Sequence, residues 1–142
     1  MSQPPAAPAA AVRAYLEALN RGSADEVAAC VSDDFVNEHT STLGESVTGR
    51  VAYRQRLGGF LAGFSGLHYE IEQLIAEGDN VAVAYRMSAD WRGPGAGPAR
   101  PFAIRGMFRF VVRNGLIAHR VDYWDSADFR RQVQGEPAQP NR

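Results

Sequence analysis

Apolar positions recur at helical spacing in the first half of the chain and at a spacing of two in the second. Val12, Tyr15, Leu16 and Leu19 form the stripe of a first amphipathic helix, and Asn20 and Gly22 end it in the manner of a left-handed cap. Ser23-Ala-Asp-Glu26 has capping-box spacing and predicts a short second helix through Val31, broken by Asp33 and Asp34. Phe35 to Thr40 reads as a short strand or extended segment. A third helix is predicted from Val51 to Phe64, with Tyr53, Leu57, Phe60, Leu61 and Phe64 as its apolar stripe. Gly58, Gly59 and Gly63 fall inside it. Each costs up to ~1 kcal/mol relative to Ala, which points either to close backbone approach or to an early helix end.

From Leu67 the period changes. Leu67, Tyr69 and Ile71 alternate with His68, Glu70 and Glu72, and Gly78-Asp79-Asn80 marks a turn. Val81, Val83, Tyr85 and Met87 then alternate with Ala82, Ala84, Arg86 and Ser88. A Gly- and Pro-rich loop, Gly93 to Pro98, precedes a strand in which Phe102, Ile104, Phe108 and Phe110 oppose Arg105, Arg109 and Arg113. Asn114-Gly115 joins that strand to the last one, the strongest short hairpin signal available. Helices followed by a strand meander predict an α+β fold, with the helices covering one face of a curved antiparallel sheet.

Length and composition narrow the function only slightly. The chain has 142 residues, enough for one domain, placed at 11–133 between a disordered lead (1–10) and a disordered tail (134–142). Fifteen basic and 16 acidic residues give a net charge of −1, which offers no electrostatic reason to bind nucleic acid or an anionic membrane. No apolar run approaches the ~20 residues of a membrane span, and the start lacks the basic region of a secretory signal. A cytoplasmic protein is expected. Cys30, the single cysteine, excludes an internal disulfide and reads as a small core residue.

The candidate chemistry lies on the last strand. Asp122 sits among aromatic and branched residues, and a carboxylate on an apolar strand costs several kcal/mol unless it is paired, protonated or working. The alternative is a structural aspartate paired to Arg120 or another arginine. Trp124 shares the Asp122 side by period two, as pocket wall or core anchor. Asp125 is placed to cap a helix starting at Ser126. His39, His68 and His119 show no metal-ligand spacing, and neither a metal nor a cofactor is expected. His68 and His119 are assigned to the outer sheet face.

Four strings, Tyr15-Leu-Glu-Ala-Leu-Asn-Arg-Gly22, Val31 to His39, Leu74 to Val83, and Arg105-Gly-Met-Phe-Arg-Phe through Asp125, resemble the SnoaL-like and ketosteroid isomerase family of the nuclear transport factor 2-like superfamily. The resemblance covers most of residues 11–130. It implies a cone, in which a bent sheet wraps the N-terminal helices around one deep pocket, and pairing of two copies through the convex sheet face. It implies a SnoaL-like polyketide cyclase, or a related isomerase or lyase, with Asp122 as acid/base on a hydrophobic polyketide or polycyclic substrate. His39 stands where the isomerases place a catalytic aspartate, and Tyr15 matches their oxyanion tyrosine. Gly106 falls where the acid partner of that tyrosine belongs, a departure that argues against steroid isomerisation. The strand with Arg100-Pro-Phe102 lacks the second aspartate of the epoxide hydrolases. Tyr15, Phe35, Asn37, Tyr53, Phe60, Phe102 and Trp124 are the expected pocket residues around Asp122 and His39. A non-catalytic ligand-binding or accessory protein, and a dehydratase or epoxide hydrolase with rearranged residues, are the alternatives.

Overall fold

The computed structural model describes residues 7–93 and 97–134. Helix α1 (Pro8–Arg21) starts on a proline, whose missing N–H is harmless in a first turn, and ends on Gly22 at φ 72°. It begins three residues inside the stretch expected to be a disordered lead; residues 1–6 and 135–142, the remainder of that lead and nearly all of the expected tail, lie outside the described residues. Helix α2 (Ala24–Ala29) is capped by Ser23, whose hydroxyl accepts from the Glu26 amide at 3.2 Å. It stops before Val31, which instead opens strand β1 (Val31–His39). The Ile117 amide donates to the Cys30 carbonyl at 2.9 Å, so sheet pairing takes over where the helix pattern was expected to continue. Strand β2 (Val47–Thr48) is too short to carry a period.

Helix α3 (Arg50–Gly63) buries Tyr53 and Leu57, and Phe64 is the first residue of strand β3 (Phe64–Glu77) rather than the last of the helix. A Cβ at Gly58, Gly59 or Gly63 would meet nothing within 4 Å, so these glycines serve neither close packing nor an early stop. Strands β4 (Asn80–Trp91), β5 (Arg100–Arg113) and β6 (Leu116–Trp124) follow, then helix α4 (Ser126–Gln134). Asn114 and Gly115 adopt φ 53° and 77°, the left-handed pair that a two-residue hairpin turn needs. Asp125 caps α4 as expected, its carboxylate accepting from the Ala127 and Asp128 amides.

The sheet order is β2-β1-β6-β5-β4-β3, open at both edges. It is antiparallel except where β1 joins β6 in parallel, aligning His39 with Asp122. Register shifts at Val31/Val36, Ile71/Gln73 and Val111/Val112 bend the strands. The helices pack on the inner face, where Tyr15, Phe35, Phe108 and Phe110 are fully buried; each such side chain contributes roughly 1.5–3 kcal/mol of transfer free energy. The outer face carries Arg105, Arg109, His68 and the His119–Glu38 pair. No helix among the described residues is long and apolar enough to cross a membrane.

Candidate functional site

The concave face of the sheet does not fill completely. Between it and α1, α3 and α4 lies a cavity of about 410 Å³, within the range of small-molecule sites. Aromatic rings line much of it: Phe60 and Tyr53 from α3, Phe64 and Tyr69 from β3, Trp91 from β4, Phe102 from β5, Trp124 from β6 and Phe129 from α4. Polar groups gather on β1, β6 and β4. The period of two sends Asn37 and His39 inward from β1, Tyr85 from β4, and Arg120 and Asp122 from β6.

Asp122 is 6% exposed. The Tyr85 hydroxyl donates to its Oδ1 at 2.7 Å, and His39 Nδ1 lies 3.7 Å from its Oδ2. Thr40 fixes the backbone beneath it, its amide and hydroxyl both donating to the Asp122 carbonyl at 3.1 Å. Burial pushes the Asp122 carboxyl above the usual carboxylate range, against the opposing pull of Arg120 and of the Tyr85 hydrogen bond. His39 moves the other way, to about 4, through burial first and then the nearby Arg120 and Arg56 charges. The Trp124 indole N–H donates to His39 Nδ1 at 3.2 Å. Near neutral pH the imidazole is therefore uncharged beside a carboxyl that resists ionisation. Such a pair can exchange protons with a ligand.

Arg120 forms the floor. Nε donates to Asn37 Oδ1 at 2.8 Å, Nη1 donates to the Tyr15 hydroxyl at 3.1 Å, and Nη2 lies 3.5 Å from His39 Nε2. Burial opposes its charge, while Tyr15, Tyr53 and Asp122 favour it strongly enough that the guanidinium stays protonated. At the mouth, Arg56 pairs with Glu45 at 3.5 Å.

The cavity brings together seven of the nine expected site residues: Asp122, His39, Asn37, Tyr53, Phe60, Phe102 and Trp124. Tyr15 and Phe35 are not among its walls. Both are fully buried behind it, Tyr15 bonded to the Tyr53 hydroxyl and to Arg120, and Phe35 packed 4.7 Å from the Tyr53 ring. The apolar stripe of α1 predicted the burial of Tyr15 correctly but not which side of the wall it occupies. Asp122 takes Tyr85 as its hydrogen-bond partner, rather than the arginine of the structural alternative. Tyr85 and Arg120 were not anticipated as site residues. Arg120 stands two residues before Asp122 on one strand, so the period of two placed it on the same face. Tyr85 lay in an alternation that reads simply as core. Cys30 is half-buried at the end of α2, its thiol donating to the Glu26 carbonyl and pushed up by burial. Among the described residues no cluster of three or more His, Cys, Asp or Glu is placed to hold a metal.

Solved structures share this architecture. A protein of ketosteroid isomerase-like fold from Catenulispora acidiphila, in complex with trimethylamine, has a TM-score of 0.77 at 20% identity, over 93% of this chain and 97% of its own. A protein from Xanthomonas campestris named a polyketide cyclase gives 0.74 at 23%, over 89% and 96%. An epoxide hydrolase of Mycobacterium tuberculosis gives 0.70 at 25%, over 89% of each chain. Among curated proteins none matches. Residues 12–120 match the SnoaL-like domain family, three quarters of the chain including the cavity floor, and the chain belongs to that family.

Proposed function

We propose that the protein is a cofactor-independent enzyme of the polyketide cyclase type, or a related isomerase or lyase, acting on a hydrophobic polyketide or polycyclic ketone. The observation that carries this is the Asp122 carboxyl, buried at the base of an aromatic cavity and held by Tyr85. Asp122 removes a proton from the carbon next to a substrate carbonyl and returns it elsewhere. A carboxyl with a raised pKa suits both steps near neutral pH. His39, uncharged, assists the transfer and holds the substrate oxygen. Asn37, Tyr53, Phe60, Phe102 and Trp124 shape the space around the ring system.

Neighbouring structures carry other chemistries, which the residues of this cavity support less well. Among the described residues, epoxide opening by paired carboxylates finds only Glu45 besides Asp122 in the cavity walls, and Glu45 lies at the mouth, 80% exposed and paired to Arg56. An amine such as the trimethylamine of the Catenulispora protein would meet the Arg120 charge. A homodimer through the outer sheet face belongs to the same proposal, because exposed Met107 and Tyr123 lie beside each other there. Light scattering of the purified protein tests it.

The catalytic reading is tested by deuterium exchange. The protein is incubated with 2-tetralone in deuterated buffer, and incorporation next to the carbonyl is followed by NMR. Wild type should accelerate exchange well above buffer, and Asp122→Asn should remove at least a hundredfold of that acceleration. Binding without exchange, unaffected by Asp122→Asn or His39→Ala, would show instead a ligand-binding or accessory protein.

A further inference from the structure

His39 is the last residue of β1 and stands opposite Asp122 in the parallel pairing with β6. Trp124 is the next inward residue of β6. Because β1 ends at His39, no residue of that strand stands opposite Trp124. Its indole turns back onto the imidazole in a T-shaped contact, the centroids 6.4 Å apart. The Phe129 ring of α4 packs edge-on against Trp124, 6.0 Å away. Held in this way, the indole N–H meets His39 Nδ1 at 3.2 Å.

An indole N–H can only donate, and a neutral imidazole carries one N–H and one bare nitrogen. The Trp124 contact therefore requires a bare Nδ1 and puts the proton on Nε2. The other tautomer is poorly supported. Its Nδ1–H would face the indole N–H, donor against donor, and Asp122 Oδ2 at 3.7 Å lies beyond hydrogen-bond range. The half-buried indole would lose the one acceptor it has among the described residues. Arg120 Nη2 does approach Nε2, but at 3.5 Å, where a hydrogen bond is weak. The segment above β1 closes the Nδ1 edge as well: a Cβ at Gly44 would stand 2.8 Å from Nδ1. Nδ1 is thus covered and engaged. Nε2 is the nitrogen left for a ligand in the cavity that His39 lines.

We infer that Trp124 is a positioning residue for His39: its indole N–H holds the imidazole in the Nε2–H form, so that His39 serves as a hydrogen-bond donor to a substrate carbonyl oxygen and not as a carrier of the Asp122 proton. The inference rests on the acid/base reading of the cavity and divides the labour within it. Asp122 takes the proton from carbon, and the C–H electron pair becomes a C=C bond as charge moves to the carbonyl oxygen. The Nε2–H donates to that oxygen. The proton stays on Asp122 until it is returned to carbon.

In protein labelled with heavy nitrogen, NMR at pH 7 separates a bare ring nitrogen from a protonated one. Wild-type His39 should show a bare Nδ1 and a protonated Nε2. Trp124→Phe keeps an aromatic wall and removes the donor. Its two His39 nitrogen resonances should move toward each other, because Asp122 and Arg120 favour Nδ1–H once the indole N–H is gone. A bare Nε2 in wild type overturns the inference, and so do resonances that Trp124→Phe leaves in place. A second comparison uses deuterium exchange into 2-tetralone. The amide of His39→Gln can accept from Trp124 and still donate to substrate, so this variant should exchange at least about tenfold faster than His39→Ala. Equal losses in the two variants would make His39 a proton carrier and overturn the inference. That comparison and the wild-type spectrum decide even if Trp124→Phe does not fold. If the resonances behave as expected but wild type exchanges no deuterium, the role of Trp124 stands and the catalytic reading falls. If wild type exchanges deuterium with a bare Nε2, the catalysis stands and the role of Trp124 falls.

Discussion

The Tyr85 hydroxyl occupies the space in which a side chain at Gly106 would begin: a Cβ there would stand 2.5 Å from that oxygen and 2.8 Å from the Tyr123 carbonyl. Gly106 pairs with Tyr85 on one side and Trp124 on the other, so the glycine is the gap through which Tyr85 reaches Asp122. The position that departs from the isomerase pattern is thus used differently, to seat a tyrosine. Gly106→Ala should cost about 1–3 kcal/mol through overpacking. It should also break the Tyr85–Asp122 bond and raise the Asp122 pKa further. Urea unfolding and the pH profile of exchange would measure both effects. An unchanged profile would mean that Tyr85 does not tune the carboxyl.

Asp122→Asn should lose activity and gain stability. Burial dominates the carboxyl's raised pKa, so the folded protein favours the neutral form, which Asn imitates while still accepting from Tyr85. The folded state binds the Asp122 proton more tightly than the unfolded state. Stability from this group is therefore complete below the unfolded pKa and is lost as pH rises through the folded one. The variant should be more stable than wild type at pH 8, with the gap closing toward pH 4. A variant less stable than wild type at pH 8 would contradict the assigned shift.

Asp122 and Trp124 were legible because a charge among apolar strand residues is anomalous and period two fixes its face. The aromatic wall was legible in part, since Tyr53 and Phe60 share a helix stripe. His39 emerged only through family resemblance. Its place beside Asp122 depends on the parallel pairing of β1 with β6, a contact between distant segments with no local signature. The same holds for Tyr85, whose alternation declares burial but not its cross-strand reach past Gly106. The shift at Ile71/Gln73 lets both Ile71 and Leu74 pack against the core, which strict alternation forbids. Val31 was read as the end of the second helix, and its pairing with Ile117 of β6 makes it the first residue of β1 instead.

His39 should govern the acid limb of stability. Its pKa is about 4 when folded and 6.5 when unfolded, so between these values the unfolded chain binds more protons. Stability should fall as pH drops from 6.5 and level off below about 4. The full shift corresponds to about 3 kcal/mol, and screening at a side chain that is 17% exposed brings it to about 2–3 kcal/mol. His39→Gln can still accept from Trp124 and should lack this loss, so its stability relative to wild type should rise as pH falls from 7 to 4. Parallel denaturant titrations of the two proteins would show no divergence if the imidazole titrated normally.

Gly44 should control access to that imidazole. The segment between β1 and β2 folds over His39 so closely that a Cβ at Gly44 would run into the His39 Cβ and ring. Leu43, Gly44 and Glu45 all line the cavity mouth, and the Arg56–Glu45 pair ties this segment to α3. Gly44→Ala must lift the segment or turn the ring. Either movement exposes His39 to water and relieves the desolvation that lowers its pKa. The His39 ring-proton titration, followed by NMR, should move from about 4 toward 6.5. 2-Tetralone should enter and leave faster, with a smaller change in affinity than in either rate. A titration midpoint that stays put would show that burial by this segment is not what holds His39 neutral, leaving the Arg120 and Arg56 charges to account for the shift.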